Sequence, residues 1–281
     1  MESFITIKPS NEKLNDYIES YYFHKSDSIN SVSKIIFFPN TKNALTIYKN
    51  AEFSFNKSHI KIERIINKSS AGYVTLYGGI QKKHIISEIN TPFDKIGIIF
   101  KPLGINYFLS DKLENILSKN EDYKFSHFNN KIEDCLDKVY KTDDLQNRIQ
   151  FLENFLISVY NKNFHDETIV KAINIIENSP SKLKIIEIAN ELKISEKTLN
   201  RKFKSHLNCT PKHYQKVFLF RKVLEDYISR NGKITLTDLT YKNFYYDQSD
   251  LIKSFKTFTN KNPLKLFKEL KDLGNNIFWI K

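Results

Sequence analysis

The sequence predicts an α+β protein in which a β-rich N-terminal domain is followed by an all-α domain of about seven helices. Short β-branched and aromatic runs fill roughly the first 110 residues, and apolar residues then recur at helical spacing. A short helix, a turn and a second helix near residue 190 return about fifty residues later. The predicted domains are 1–110, a helical connector with its linker at 111–163, and 164–281.

Length and composition set the general class of the protein. Its 281 residues are enough for two domains, and 40% apolar with 27% charged residues is typical of a folded, soluble chain. No apolar run approaches the roughly 20 residues that cross a bilayer, so no membrane partner is expected. The first ten residues lack the pattern of a secretory signal, and Cys135 and Cys209 lack partners at metal spacing. A cytoplasmic protein with reduced thiols is therefore expected.

The positive charge is unevenly distributed along the chain. The formal net charge is +12, and residues 161–281 contain 23 Lys and Arg against 13 Asp and Glu. The first 160 residues hold the other 21 basic and 19 acidic groups (44 − 23 and 32 − 13). A basic C-terminal half on a nearly neutral N-terminal half indicates a polyanionic partner for the helical domain.

The N-terminal domain is predicted to begin with a helix and to continue with short strands. Apolar Leu14, Tyr17, Ile18 and Tyr21 share one helical face, which predicts a helix over 13–22. Six strands are predicted at 34–39, 44–48, 60–66, 73–77, 83–87 and 96–100. The short connections favour antiparallel pairing in a small barrel or sandwich.

The connector is predicted to be helical, and its role is open. Its apolar residues share one face in each helix: Ile132, Cys135, Leu136 and Val139 in the first, Ile149, Leu152, Phe155 and Leu156 in the second. Such helices either brace the β-rich domain or form a dimer interface. The segment at 161–166 has few apolar groups and is expected to be the linker.

Capping residues and prolines delimit the helices of the C-terminal domain. A first helix starts at Glu167, carries Ile169, Ala172, Ile173 and Ile176 on one face, and ends at Asn178-Ser179-Pro180. The first helix-turn-helix spans 183–206, with Ser195 capping its second helix. Thr210-Pro211 begins a long helix that should be buried between the two helix-turn-helix units and stop at Gly232.

The second helix-turn-helix starts at Leu236, and Asp247 is expected to cap its second helix. A closing helix is expected from Pro263 to 273–274.

The second helix of each unit has the same inward and outward residues. Leu199 and Phe203 in the first unit, and Leu251 and Phe255 in the second, follow a Leu-x3-Phe pattern that faces inward. The outward side chains predicted to contact DNA are Lys197, Asn200, Arg201 and Lys204 in the first unit and Gln248, Ser249, Lys253 and Lys256 in the second. Arg pairs with guanine, Asn and Gln pair with adenine, and Lys neutralises phosphate. The alternative is a solvated helix face without a partner.

Four neighbouring residues of the second unit are interpreted separately. Ile252 could touch a thymine methyl group. Asp250 would repel phosphate unless it caps the helix or accepts from a cytosine amino group. Tyr245 and Tyr246 are expected to pack in the core.

Residues 167–272 resemble the C-terminal domain of AraC/XylS-family transcription regulators. The resemblance runs through Ile188-Ala189, Ser195, Leu199-x-Arg201-x-Phe203-Lys204, Pro211-x2-Tyr214, Arg221, Asp247-Gln248-Ser249, Phe255-Lys256 and Pro263-x3-Phe267. It implies a double helix-turn-helix whose groove contacts include Lys197, Asn200, Arg201, Gln248, Ser249 and Lys253. The partners it implies are double-stranded promoter DNA and RNA polymerase. The chain departs from the family at Lys193, Asn208 and Phe244, where Gly is usual, and at Thr240, where Ala is usual.

The departure at Phe244 leads to a prediction about the second turn. Asn adopts the left-handed αL conformation readily, but a bulky aromatic residue does so only with strain. The second turn is therefore expected to be built differently from the first.

The N-terminal half more weakly resembles the cupin-like sensor domain that precedes some of these regulators. The resemblance rests on Leu14-x2-Tyr17-Ile18-x2-Tyr21, Phe38-Pro39 and residues 97–104. It implies a small-molecule effector or a homodimer formed through this domain. His24, His59, His84 and His127 are not at metal-ligand spacing, so neither a metal nor another cofactor is predicted.

These observations predict a sequence-specific transcription regulator, with activator among the expected roles, that inserts two helices into consecutive major grooves. The sequence also leaves two alternatives. An enzyme with a cupin-like N-terminal domain would need converging titratable groups, and the sequence shows no such motif. A protein-interaction module would have a basic surface that does not bind duplex DNA. No enzymatic activity is expected.

Overall fold

The computed structural model describes residues 2–56, 59–64, 72–118, 123–162, 164, 166–179, 181–272 and 278–279. Packing divides the chain into two units. The N-terminal unit consists of Met1–Ile35, Lys42–Gly79 and Ile86–His165, and the C-terminal unit of Ile36–Thr41, Ile80–Ile85 and Asp166–Lys281. The predicted order, a β-rich region followed by a helical domain, is confirmed.

Strands form two sheets in the N-terminal half. They are β1 (Glu2–Ile7), β2 (Ile18–Ser26), β3 (Val32–Phe37), β4 (Asn43–Lys49), β5 (Ala51–Asn56), β6 (His59–Arg64), β7 (Tyr73–Gly78), β8 (Ile85–Asn90) and β9 (Phe93–Phe100). The larger sheet has the order β1-β2-β9-β4-β7, and all its neighbours are antiparallel. The smaller sheet has the order β3-β8-β6-β5.

The smaller sheet differs from the expected pattern in one strand pair. β5, which the sequence did not predict as a strand, pairs antiparallel with β6, whereas β6 and β8 are parallel. The reason is that β7, which lies between them in sequence, belongs to the larger sheet. The chain therefore crosses to the other sheet and returns in the same direction, and no hairpin joins β6 to β8. Ile65 and Ile66, the end of the predicted strand at 60–66, lie outside the described residues.

The helix predicted over 13–22 is wrong. Only Glu12–Asp16 is helical, as a short 3-10 turn, and Ile18–Ser26 forms β2. Leu14, Ile18 and Tyr21 are buried as the pattern requires. β2, however, pairs with strands on both sides and is rich in aromatic and β-branched residues, which pack well on a pleated sheet. Strand pairing thus overrides the apparent helical period.

The connector helices pack on one face of the larger sheet. They are α1 (Leu113–Ser118), α2 (Asn129–Val139) and α3 (Leu145–Ser158). Their apolar residues share one core with alternate residues of β2, β4 and β9, among them Tyr21, Ile47 and Ile98. The connector therefore braces the β-rich region, which was one of its two expected roles.

Two buried charged residues of α3 bind other parts of the N-terminal unit. The Arg148 guanidinium donates to both carboxylate oxygens of Asp94 (3.2 and 2.9 Å). The Glu153 carboxylate accepts from the backbone N–H of Ser10 (2.7 Å) and of Asn11 (3.2 Å). These bonds are charge-assisted, and they fix α3 relative to the strands.

Seven helices make up the described part of the C-terminal unit from residue 166 onwards, in agreement with the prediction. They are α4 (Glu167–Asn178), α5 (Ile185–Glu191), α6 (Glu196–Leu207), α7 (Pro211–Ser229), α8 (Leu236–Lys242), α9 (Gln248–Thr259) and α10 (Pro263–Glu269). The predicted caps Ser195, Thr210 and Asp247 each accept a backbone N–H of the helix they precede. Gly232 has the expected left-handed backbone, with φ 73°.

The last helix is shorter than predicted. α10 ends at Glu269 because Leu270 adopts an extended backbone. Residues 273–274, where its end was expected, lie outside the described residues, as does Pro180, the expected stop of α4. Lys271–Asp272 (β10) pairs antiparallel with Phe278–Trp279 (β11).

The long helix α7 lies at the centre of the C-terminal unit. It contacts α4, α6, α8 and α9, and Tyr214, Val217, Phe220 and Val223 on it are completely buried. The helix is therefore packed between the two helix-turn-helix units, as the sequence predicted. The same unit includes Phe38 in its core, and the backbone N–H of His84 donates to the carbonyl of Phe258 (2.8 Å).

In the part of the chain that the structure describes, no helix is long and apolar enough to span a membrane.

Cys135 and Cys209 are free thiols, and burial raises the pKa of each to about 12.

Candidate nucleic-acid interface

The first helix-turn-helix consists of α5, a turn at Lys193-Ile194 and α6. Lys193 has a left-handed backbone with φ 55°. Its N–H donates to the carbonyl of Asn190, and that of Ile194 donates to the carbonyl of Ala189, both at 3.0 Å. These bonds satisfy carbonyls at the end of α5 in a Schellman-type turn. The hydroxyl of Ser195 then accepts from the N–H of Thr198 (3.1 Å) and begins α6.

The second helix-turn-helix ends its first helix in the same way. Phe244 has φ 59°, and its N–H donates to the carbonyl of Tyr241 (3.3 Å). The N–H of Tyr245 donates to the carbonyl of Thr240 (3.1 Å), which reproduces the bond between Ile194 and Ala189. The expectation that Phe244 would avoid the left-handed region is therefore wrong. The half-buried Phe244 ring packs on the core of the unit, and this contact offsets the backbone strain.

The two turns differ in length instead. The left-handed residue and the N-cap are Lys193 and Ser195 in the first turn, but Phe244 and Asp247 in the second, which leaves room for one extra residue. Tyr245 is buried as expected. Tyr246, which was also expected in the core, is 88% exposed. Its position in an extended turn points the side chain to solvent.

Replacing Lys193 with glycine is expected to stabilise the C-terminal unit. The Lys193 side chain is exposed, so little packing is lost, and glycine removes a left-handed penalty of about 1 kcal/mol. Urea unfolding followed by circular dichroism measures the change. Lys197→Gly is the matched control, because glycine inside α6 should destabilise by about 1 kcal/mol. Equal destabilisation by both variants would contradict the assigned backbone of Lys193.

The inward faces of α6 and α9 agree with the prediction. Leu199, Phe203, Leu251 and Phe255 have no exposed surface. The Phe203 ring meets that of Tyr214 on α7, with centroids 5.7 Å apart, and the Phe255 ring meets that of Phe220 at 4.9 Å. Both helices therefore pack on the same central helix, each through its Leu-x3-Phe pair.

Salt bridges to Asp166 hold α6 against α4. Asp166, the N-cap of α4, accepts from the ammonium of Lys202 at 2.9 and 2.7 Å, and its carboxylate lies 3.2 Å from the ring of His206. Burial alone would raise the pKa of Asp166, but the hydrogen bonds from Lys202 and from the Ile169 backbone lower it overall. Lys202 is thus occupied within the protein, while Arg201 beside it is exposed.

The predicted DNA contacts all lie on the surface. Each of the following side chains is exposed: Lys197, Asn200, Arg201, Lys204, Gln248, Ser249, Lys253 and Lys256. Three of them form local bonds: Asn200 with the Glu196 carbonyl (2.9 Å), Lys204 with Asn208, and Gln248 with the hydroxyl of Thr237 (2.7 Å). Such exposed local bonds are exchanged for contacts to a partner at small cost. Ile252 is half-buried.

Asp250 has partners within the protein. Its N–H donates to the carboxylate of Asp247 (2.7 Å), and its own carboxylate accepts from the N–H of Tyr246 (3.5 Å). Lys182, which precedes α5, lies 3.9 Å from the same carboxylate. Negative charge at the N-terminus of α9 is favourable for the helix, and Lys182 reduces the repulsion of phosphate that the sequence suggested.

Two further lysines lie beside the predicted contacts, and the sequence pattern did not identify them. Lys182 and Lys216 line a shallow pocket of about 130 Å³ with Lys253 and residues of α7 and α9. They are far apart in sequence and outside both helix-turn-helix repeats. The sequence indicates only that the C-terminal half is rich in lysine. That excess does not show that Lys182 and Lys216 lie beside Lys253.

The sequence matches a protein family over part of its length. Residues 188–269 match the model of a family described as "Helix-turn-helix domain". This stretch covers α5 to α10 and both turns described above. The C-terminal unit carries an AraC-type helix-turn-helix domain. The resemblance proposed from the sequence is therefore confirmed for this part of the chain.

Solved structures with a similar chain path include ToxT from Vibrio cholerae. One ToxT crystal structure at 1.65 Å resolution is 12% identical, covers 95% of this chain and 97% of its own, and has a TM-score of 0.44. A structure of ToxT with bound unsaturated fatty acid gives 12% identity, 93% and 97% coverage and the same TM-score. Similarity this low does not carry a ligand from one protein to the other. A search of curated proteins found no significant match.

Proposed function

We propose that this protein is a transcription regulator that places α6 and α9 in consecutive major grooves of promoter DNA. Arg201 and Asn200 read bases in the first groove, and Gln248 with Ser249 does so in the second. Lys197, Lys204, Lys253 and Lys256 neutralise phosphates, with Lys182 and Lys216 as additional phosphate contacts. Free thiols such as Cys135 suit a protein that acts in the cytoplasm.

One observation carries this proposal. Two helices of the same length, each capped at its N-terminus and each ended by a left-handed Asn, expose basic and amide side chains opposite a buried Leu-x3-Phe pair. The repeat is spaced by 52 residues, from Leu199 to Leu251 and from Pro211 to Pro263. Basic and amide side chains on an exposed helix are the groups that bind phosphates and base edges in a major groove.

Three further partners belong to the proposal. The N-terminal unit senses a small-molecule effector or forms a homodimer. RNA polymerase is the expected protein partner. Tyr241 on α8 supports a protein contact, because its side chain is 70% exposed and exposed aromatic residues are enriched at interfaces. We assign no enzymatic activity to this regulator.

Replacing Arg201 with alanine tests the base-reading role. A preferred duplex is first selected from random sequences with the full chain, and fluorescence anisotropy then measures affinity for that duplex and for unrelated duplexes. The Arg201→Ala variant is expected to lose about 1–3 kcal/mol of binding free energy on the preferred duplex and much less on the others. The reason is that a bidentate guanine contact exists only at the preferred base pair.

Lys204→Ala is the matched variant, because it removes an exposed cation three residues away on α6. It should weaken binding to every duplex by a similar factor. If Arg201→Ala also weakened all duplexes equally, Arg201 would be a phosphate contact. If the full chain showed no binding to any duplex at low salt, the proposed function would be wrong.

A further inference from the structure

The second helix-turn-helix has one residue in its turn that the first lacks. Phe244 and Lys193 correspond, since both have a left-handed backbone at the end of the first helix of their unit. The N-caps Asp247 and Ser195 also correspond, but they are 52 residues apart, one more than Phe244 and Lys193. The extra residue is Tyr246, because the residue before it makes the same backbone bond as its counterpart in the first turn.

The backbone of Tyr246 is held in place while its side chain lies in solvent. The preceding residue, Tyr245, is buried, and its hydroxyl lies 3.3 Å from that of Ser254 on α9. The N–H of Tyr246 itself donates to the carboxylate of Asp250 (3.5 Å). Its side chain is nevertheless more exposed than any other large hydrophobic side chain that the structure describes. An exposed ring on a fixed backbone loses little conformational freedom when it binds a partner.

Tyr246 lies at the end of α9 where base contacts are expected. It precedes Gln248 and Ser249, which read bases in the proposed function, by only two and three positions. In helix-turn-helix proteins the N-terminal residues of the second helix contact the base edges. The chain leaves the Tyr246 ring in water, so the ring can bury its apolar surface only against a partner that reaches this end of α9.

The charges around Tyr246 favour an uncharged group as the partner of its ring. Asp247 caps α9, and Asp250 lies in the first turn of the helix. Lys182, which is 3.9 Å from the carboxylate of Asp250, offsets only one of these two negative charges. A phosphate against the ring would therefore be repelled, whereas the base edges carry no net charge. The apolar group that they present in the major groove is the 5-methyl group of thymine.

We propose that Tyr246 reads a thymine in the second major groove by packing its ring against the 5-methyl group. This inference rests on the proposed function, in which α9 occupies that groove. It assigns to the inserted residue a part in sequence recognition that the first unit cannot reproduce.

The test removes one methyl group at a time from the DNA. Each thymine of the preferred duplex is replaced singly with deoxyuridine, which lacks the 5-methyl group and keeps the same base pairing. Fluorescence anisotropy then measures the affinity of the full chain for each duplex. At one position in the second half of the site the affinity is expected to fall about fourfold, because the contact with one buried methyl group is lost.

The Tyr246→Ala variant should bind the thymine and deoxyuridine duplexes equally at that position, because the ring is missing. Tyr246→Phe should keep the fourfold difference, since the contact needs only the ring. Both variants should keep the wild-type midpoint of urea unfolding, because the side chain is exposed.

Two further variants serve as matched controls. Tyr241→Ala removes another exposed tyrosine, 70% accessible and located on α8, and should keep the difference at this position. Ile252→Ala should keep it as well. Ile252 is the thymine contact suggested by the sequence, but it is half-buried. Loss of the difference in Ile252→Ala and its persistence in Tyr246→Ala would assign the methyl contact to Ile252 and overturn the proposal.

Two other results would also overturn it. One is a wild-type protein that binds every deoxyuridine duplex as tightly as the original. The other is a Tyr246→Phe variant that binds all duplexes as weakly as Tyr246→Ala, which would show that the hydroxyl contacts a phosphate. In both cases the wild-type chain still binds DNA, so the proposed function stands. Absence of binding to any duplex would instead overturn the proposed function and this inference together.

Discussion

The affinity of the full chain for its preferred duplex is expected to fall about 2000-fold between 50 and 200 mM monovalent salt. The proposed phosphate contacts are six lysines: Lys182, Lys197, Lys204, Lys216, Lys253 and Lys256. Each cation that neutralises a phosphate releases about 0.9 of a counterion from duplex DNA, so six give a double-logarithmic slope of about −5.4. A fourfold rise in salt then lowers the affinity by a factor of about 2000.

Anisotropy titrations at four or more salt concentrations give this slope. Lys204→Ala should reduce its magnitude by about one. Lys171→Ala is the control, because Lys171 is also exposed but lies on α4 and pairs with Glu167 (2.9 Å). A wild-type slope shallower than about −2 would contradict the predicted set of phosphate contacts. A slope of about −3.6 would instead show that the four lysines of α6 and α9 reach phosphates and that Lys182 and Lys216 do not.

The C-terminal unit was predictable because its local signals agree with its tertiary packing. Ser195, Thr210 and Asp247 are caps in the sequence and in the structure, and Pro211 and Pro263 begin helices where proline is tolerated. The repeated Leu-x3-Phe pairs point inward because a spacing of four residues returns to the same helix face. Local rules alone place the exposed side chains on the opposite face.

The N-terminal half was less predictable because its structure depends on pairing between distant strands. Residues Ile18 and Tyr21 match a helical period, yet they belong to a strand that pairs with β1 and β9. The parallel pairing of β6 with β8 follows from β7 joining the other sheet, which no local pattern reveals. The same holds for His24 and Lys95, which lie side by side only because of the strand register between β2 and β9.

Phe244 shows how tertiary contacts override a local preference. Its side chain makes the left-handed backbone unfavourable, and that preference alone predicted a different turn. In the structure the ring packs on the core of the unit, and the ammonium of Lys222 lies 5.2 Å from its centroid. These contacts offset a strain of about 1–3 kcal/mol, so Phe244 keeps the left-handed backbone that Lys193 has in the first turn. The sequence could identify the residue but not its surroundings.

Replacing Phe255 with alanine is expected to destabilise the C-terminal unit by about 3–5 kcal/mol. Phe255 is completely buried, and its ring contacts those of Phe220 on α7 and Phe267 on α10, with centroids 4.9 and 5.6 Å apart. The variant loses this burial and leaves a cavity among three helices. Such a loss is a large part of the usual stability of about 5–15 kcal/mol. Urea unfolding measures the difference, and exposed Lys256→Ala should change stability by less than about 0.5 kcal/mol.

The variant also tests whether the two helix-turn-helix units unfold together. Helix α7 is common to both cores, since its Tyr214 contacts Phe203 on α6 and its Phe220 contacts Phe255 on α9. Loosening α9 should therefore loosen α7 and, through it, α6. Hydrogen exchange in Phe255→Ala is expected to accelerate in α6 as well as in α9. Fast exchange in α9 with unchanged exchange in α6 would show that each unit is stable independently of the other. Both grooves would then be read by separable modules, and α7 would serve only as a linker.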